Sequence, residues 1–345
     1  MDVGGTLGLR ATAVLTIPQT EVAPGGRLLN SGSLTLSRSL LNRGETLNRG
    51  DLTVGDAGIQ GVRVVNHGSF QHLAGRLTLL AFDGAAVAVD NAAGAELRLG
   101  GSQLGRMALA NRGRVIVDRG GVLLASTVQQ DAGELRVDGD LTADLTHVRG
   151  GLLGGTGTLR GTVQITDAAL TDTGLLVGTR LRPGLSGPGG DQALRFFGPV
   201  HLGTVYQGVI VEIDIASAEA FGQLSFLDAL TADRGSRLLF VLLDGFQPAQ
   251  ALSLPVLRFD TDRTGTQGLE VLLGYADVWQ RSAAGDVPWA GGSWEFAWHD
   301  GRIDLQLTPA PVPEPAAWGL LAAGLALLRG MAWRQRRACC AAAAP

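Results

Sequence analysis

The chain has 345 residues, 51 of them glycine, with only 17% charged residues and a formal net charge of −4. All 28 basic residues are arginine, which excludes chemistry that needs a lysine, such as a P-loop, a Schiff base or a kinase-type site. Four of those arginines sit near the C-terminus, so the remainder is acidic against its 32 carboxylates and unsuited to nucleic acid.

Taken in chain order, the beginning fits poorly with a secretory leader. Met1-Asp2-Val3-Gly4-Gly5 offers an acid where a basic start is needed, and Arg10, Thr12 and Thr16 interrupt the only mildly apolar stretch. The expectation is that this sequence starts inside a larger gene product, with a leader and first repeats upstream.

From about residue 26 to residue 140 one phrase recurs: Asn or Asp, Gly two residues on, then an alternating apolar run. It reads Asn30-Ser31-Gly32-Ser33-Leu34-Thr35-Leu36 and Asn48-Arg49-Gly50-Asp51-Leu52-Thr53-Val54. Later copies start at Asn66, Asn111 and Asp131, with a looser one from Asn91 through Gly94. Taking Gly32, Gly50, Gly68, Gly94, Gly113 and Gly133 as markers, the steps are 18, 18, 26, 19 and 20, the long one implying an insertion around Gly75 to Gly84. Steps of about 20 with one turn and short alternating strands predict a β-solenoid. Each turn is assigned to Asn in αL and Gly at positive φ. Apolar residues at i and i+2 point inward, and stacked asparagines are positioned for an amide ladder. The register places Arg114 opposite Glu134 and stacks Asp118 on Asp138.

Leu153-Gly154-Gly155-Thr156-Gly157-Thr158-Leu159, followed by Pro183-Gly184-Leu185-Ser186-Gly187-Pro188-Gly189, resembles the end repeat of autotransporter-type β-helix passengers, apart from the inserted Gly187. The resemblance implies a parallel β-helix up to about residue 190. Beyond it, Val209 to Ile215 and Arg237 to Leu243 read as strands, and Trp294 to Trp298 with Ile303 to Leu307 as a hairpin around Asp300-Gly301. Residues 191–308 are expected to form a β-rich cap, because an uncovered last coil is an unpaired sheet edge.

Chemistry is sparse. Asp118, Asp138, Asp140 and Asp144, near Arg136 and Arg149, are the only carboxylates arranged for Ca²⁺ or glycoside hydrolysis, and Asp-Gly-Asp reads more simply as a turn. The five histidines, at 67, 72, 147, 201 and 299, lack metal-ligand spacing. Trp279, Trp289, Trp294 and Trp298 cluster in sequence; Trp294, Phe296 and Trp298 share a strand face as packing residues do. Trp289, beside Pro288 and Gly291-Gly292, is the candidate exposed ligand contact.

The tail carries the clearest motif. Thr308 to Pro315 holds four prolines and reads as an extended spacer. Val312-Pro313-Glu314-Pro315 then leads into thirteen apolar residues, Ala316 to Leu328, and the arginines Arg329, Arg334, Arg336 and Arg337. Thirteen residues fall short of the roughly 20 that span a bilayer, but admitting Arg329 extends the segment to Trp333. Basic residues mark the cytoplasmic side, so the body lies outside. Cys339 and Cys340, the only cysteines, lie beyond that span. This order resembles the PEP-CTERM sorting signal, which implies a Gram-negative host making exopolysaccharide and an exosortase that cuts near Pro313-Glu314-Pro315.

The resulting expectation is an all-β chain: a parallel β-helix or solenoid over 1–190 and a cap over 191–308. A spacer over 309–315, a single transmembrane helix over 316–333 and a basic cytoplasmic tail over 334–345 follow. It is read as a non-enzymatic exported surface or extracellular-matrix protein, without cofactor, metal or catalytic residues. Its partners are an exosortase, the membrane through the C-terminal helix, and an exopolysaccharide if it is adhesive. It is tethered to the inner membrane before processing and at the surface or outside afterwards. The alternatives are a secreted polysaccharide lyase or hydrolase and a permanently anchored envelope protein.

Overall fold

The computed structural model describes residues 2–310 except 4, 56, 60–62, 80–85, 167–178, 187–192, 205–208, 234–235, 244–245, 260–269, 276–277, 282–286, 290–291 and 300, and beyond 310 only residues 323 and 325–329. The protein is all-β, built from long parallel sheets. Strands preceding the Asn-x-Gly turns pair with one another: Arg27–Asn30, Glu45–Asn48, Arg63–Asn66, Val87–Asn91 and Met107–Asn111. Strands following them form a second ladder: Ser33–Asn42, Asp51–Val54, Ser69–His72, Glu96–Leu99, Arg114–Val117 and Glu134–Val137. Parallel partners need a crossover rather than a tight hairpin, so each repeat forms one layer of a stack.

The period-2 alternation decides which side chains fill the stack. Leu34, Leu36, Leu52, Val54, Leu97, Leu99, Val115, Val117, Leu135 and Val137 are buried, while the residues between them, such as Thr35, Thr53 and Arg136, face outward. Each buried leucine or valine contributes roughly 1.5–3 kcal/mol. A lone layer has nothing to pack on, so this gain exists only through stacking.

At the turns, Asn30, Asn48, Asn66, Asn91 and Asn111 form a buried amide ladder. Each Nδ2 donates to the next asparagine's Oδ1 at 2.7–2.8 Å. The same amides donate to main-chain carbonyls of the next layer, those of Asp51, Ser69, Glu96 and Arg114. Oδ1 of Asn30, Asn66 and Asn111 accepts from the amide N–H of Gly32, Gly68 and Gly113. The ladder ends on Gln130, whose Oε1 accepts from Asn111. The repeat phrase places Asp131 here, but Asp131 turns outward to Arg149 at 2.5 Å. A buried rung must donate as well as accept, which an ionised carboxylate cannot do.

The turn glycines have a different cause from the one expected. Gly32, Gly50, Gly68 and Gly113 are not among the positive-φ glycines. A Cβ on each would instead fall far inside van der Waals contact with a carbonyl oxygen of the preceding layer: that of Ala13, Gly32, Gly50 and Ala95, respectively. Close approach of the layers, not a left-handed backbone, demands glycine there. Gly94, at φ 77 with open space around it, is a turn residue instead. Ala95 stands in register with Gly68 and Gly113 but follows a turn two residues longer, so the glycine requirement holds for the short Asn-x-Gly turn and not for this one.

Arg114 lies opposite Glu134 as expected, with Nε 2.9 Å from Oε2, and its Nη1 is 3.4 Å from Glu96. Such exposed pairs contribute about 0.2–1 kcal/mol and act mainly on register. Asp118 and Asp138 occupy successive corners, each held by its own arginine: Arg98 at 2.7 Å and Arg136 at 2.6 Å.

The parallel ladder continues past residue 190. Leu152–Gly155, Arg180–Pro183, Ile210–Ile215, Arg237–Leu242 and Glu270–Tyr275 follow one another in parallel. The residues expected to cap therefore begin as further parallel layers. Antiparallel pairing first appears where Phe221–Gly222 meets Leu185–Ser186 and Ile215, and it closes the end with Val278–Arg281, Val287–Trp289, Gly292–His299 and Arg302–Pro309, the last of which also pairs with Leu252–Phe259. The expected hairpin is present, with Gly301 at φ 73. Trp294, 1% exposed, meets Phe296 edge-on at 5.4 Å, and Phe296 packs on Phe240 at 5.2 Å. Inside this region Phe196, Phe226 and Phe259 stack at 5.2 and 5.9 Å, an aromatic counterpart of the asparagine ladder.

The transmembrane helix expected over 316–333 is not shown. Among the described residues no helix is long and apolar enough to cross a membrane, and helix is described only at Ala323 and from Leu325 to Arg329. The other positions of that span lie outside the described residues. The thirteen apolar residues before Arg329 are themselves short of the roughly 20 a crossing needs.

Candidate functional site

On the outward face of the second ladder, Arg136, Gly154 and Arg182 stand in register on three successive layers. Gly154 carries no side chain, and a Cβ there would lie 2.5 Å from the Arg182 carbonyl oxygen. A groove of about 590 Å³ lies beside these three residues. Its uncharged lining includes Gly154, Gly155, Pro183 and the half-buried Leu152. Its walls carry Arg119, Arg136, Arg182, Glu134, Asp138 and Asp214. A second hollow of about 360 Å³ shares Arg119, Asp138 and Thr156 and continues round the corner over Gly120, Gly139 and Gly157 to Arg195.

The charges along the groove are largely paired. Asp138 accepts from Arg136 Nε at 2.6 Å and from the Thr156 N–H and hydroxyl at 3.1 and 3.3 Å. Arg182 donates to Asp214 at 2.7 Å and lies 3.5 Å from Glu212. That hydrogen bond to Asp214 holds the Arg182 proton more tightly than usual, although burial opposes it. Asp214 is only 6% exposed, and its Oδ1 has no hydrogen-bond partner among the described residues. Arg119 is exposed and holds no ion pair among the described residues.

Of the carboxylates considered for hydrolysis, Asp118, Asp138 and Asp140 lie at this corner and Asp144 lines neither hollow. Asp138-Gly139 is a turn between Glu134–Val137 and Asp140–Val148, and Asp144 pairs with Arg106 at 2.6 Å. Among the described residues no cluster of His, Cys, Asp or Glu could hold a metal ion. Trp289 ends the strand Val287–Trp289 opposite Gly292. Its side chain lies outside the described residues. So do Val312, Pro313, Glu314, Pro315, Arg334, Arg336 and Arg337, while Arg329 ends the described helical residues with Leu325, Leu327 and Leu328 exposed beside it.

The sequence reading missed Gly154, Arg182 and Asp214 as neighbours of Asp138. The usable signal was the layer register, which carries Arg136 onto Gly154 and then Arg182 once the repeat is extended beyond residue 140.

Residues 311–337 match the family model described as the PEP-CTERM protein-sorting motif. No curated protein and no solved structure matches the chain. The match confirms the motif read from Val312 to Arg337, and it supports an exported protein sorted by an exosortase.

Proposed function

We propose that this chain, starting from its PEP-CTERM motif, is a non-enzymatic β-helical protein of the cell surface or extracellular matrix. The motif match at 311–337 carries the reading. In sequence the proline-rich stretch after the last strand, which ends at Pro309, sets Glu314 between the folded body and the apolar segment, where an exosortase can meet it. The apolar segment 316–333 holds the chain in the inner membrane until it is cut, with Arg334, Arg336 and Arg337 on the cytoplasmic side.

The parallel stack supports a structural role. Its repeats pack layer on layer, its asparagine ladder consumes buried polar groups for cohesion, and its outward carboxylates are mostly in ion pairs. An autotransporter-like β-helix suits such a role because its long faces offer surface without a deep cleft. Adhesion within a matrix is the natural use of that surface.

Replacing Pro313, Glu314 and Pro315 together by alanine tests this reading in the native host. The expected result is accumulation of the full-length chain in the inner-membrane fraction and its loss from the surface and medium. An unchanged distribution would overturn it.

A further inference from the structure

We propose that a row of three arginines crossing the last layers, on the outer face of the sheet that holds Arg27–Asn30, binds a linear polysaccharide with a carboxylate on every second sugar. The row is set by register. Thr158 pairs with Arg195, Arg195 with Ser225, Ser225 with Arg258, Arg258 with Arg302, and Arg302 with His299. Residues paired across strands share a face of the sheet. Here it is the outer one: Arg258, Arg302 and His299 are exposed, and Thr158, Arg195 and Ser225 are half-buried.

The charges point to an anionic partner. Arg258 stands directly opposite Arg302 on antiparallel strands, and like charges so placed destabilise a sheet. Arg258 makes no ion pair among the described residues, so no described carboxylate offsets that repulsion. Among the described residues the one carboxylate paired with the row is Asp304, only 3% exposed, which takes Arg302 at 3.1 Å and His299 at 3.4 Å. An anion outside the protein supplies the counter-charge that Arg258 lacks. Composition does not explain the row, since the chain carries a formal net charge of −4.

Spacing and neighbours select the class. Arg195 and Arg258 are two strands apart, about 9.6 Å, with the Ser225 hydroxyl between them. A β-linked disaccharide covers a similar length, so a chain with one carboxylate per disaccharide sets a carboxylate on each arginine and a neutral sugar over the serine. Phe197, two residues beyond Arg195 on the same face, is 38% exposed, with the Arg160 guanidinium 4.3 Å from its ring centre. It gives the C–H face of a sugar ring an apolar rest, which a polyphosphate would not use. Asp140, exposed and in register with Thr158, closes the row at its other end by repelling the chain. The row names a partner for the matrix reading and rests on that reading only in that the polymer is a polysaccharide. Binding is measured on purified protein, so its failure would leave the sorting of the chain untouched.

Isothermal titration calorimetry of the purified full chain with three probes tests the proposal: hyaluronan octasaccharide, which has a carboxylate on every second sugar, neutral cellohexaose, and an oligothymidylate. The octasaccharide should bind saturably, more tightly than either other probe, and more weakly as salt is raised. Arg258→Glu should weaken that binding at least tenfold while the variant stays folded, because the new carboxylate faces Arg302. Arg10→Glu makes the same charge change at an exposed arginine in the first layers and should leave binding unchanged. Circular dichroism and a melting curve report whether each variant has folded. Should Arg258→Glu not fold, Arg258→Gln, which removes the charge without adding one, should weaken binding at least threefold. No saturable binding of the octasaccharide, equal or tighter binding of cellohexaose or the oligothymidylate, an equal loss in Arg10→Glu, or full binding by a folded Arg258 variant would each overturn the proposal.

Discussion

Gly50→Ala should destabilise the protein by on the order of 3 kcal/mol, although alanine is normally the mildest replacement for glycine. The added methyl group would collide with the Gly32 carbonyl oxygen and crowd the carbonyl carbon of Ser31, both main-chain atoms of the layer before. Neither is the end of a flexible side chain, so relief requires the two layers to separate. Separation also lengthens ladder bonds such as the one from the Asp51 amide N–H to the Gly32 carbonyl, now 2.9 Å. Gly94→Ala is the matched contrast. Gly94 has φ 77 and open space around it, so its cost is only the left-handed backbone, about 1–2 kcal/mol. Urea unfolding of both variants checks the ordering, and a Gly94→Ala effect equal to or larger than that of Gly50→Ala would contradict the close-approach account.

Asn66→Ala should cost several kcal/mol, because it orphans groups in both directions along the ladder. The Asn91 Oδ1 and the Glu96 carbonyl lose the Asn66 amide at 2.8 Å, and the Gly68 N–H loses its acceptor at 3.3 Å. Asn48 Nδ2 keeps its bonds to the Gly50 and Ser69 carbonyls but loses Asn66 Oδ1. Each buried group left unpaired costs about 1–3 kcal/mol, and water has no ready access to a residue only 1% exposed. Gln130→Ala, at the end of the ladder, should cost less, since there is one amide neighbour to orphan rather than two. Comparing thermal unfolding of the two variants measures how much the interior of the ladder adds over its end.

These two residues also show what could be read from the sequence and what could not. Asn-x-Gly followed by alternating apolar residues announced a stacked repeat, and the pairing of Arg114 with Glu134 followed from counting along it. The phrase gave the right residues at Gly32 and Gly50 for the wrong reason. Turn chemistry and close packing both select glycine, and only the distance to the neighbouring layer separates them. Gln130 stands outside the Asn-or-Asp phrase; glutamine, one methylene longer, performs the same donor and acceptor function one position before Asp131.

Beyond residue 190 the phrase disappears but the stack does not. The register there runs Leu181, Val211 and Leu238, with irregular loop lengths that erase the period while these inward residues remain apolar. Its core positions are filled by Phe196, Phe226 and Phe240 rather than by Leu and Val alone, so composition changes where topology continues. The groove was hidden for the same reason. No local string marks it, because it consists of a glycine set between arginines that are distant in sequence and adjacent only across layers. The tail is the opposite case: its message lies in the linear order of tripeptide, apolar segment and arginines, and residues 311–337, which hold that order, match the sorting-motif family model.

The central claim is that the tail is an address removed on delivery, and C-terminal peptide mass spectrometry of the native protein from membrane and extracellular fractions tests it most directly. The account predicts an extracellular form ending near Pro315, with every peptide from Ala316 onward absent. Intact peptides spanning Trp318 to Arg337, recovered from the membrane fraction without any shortened form elsewhere, would contradict it and leave a permanently anchored envelope protein.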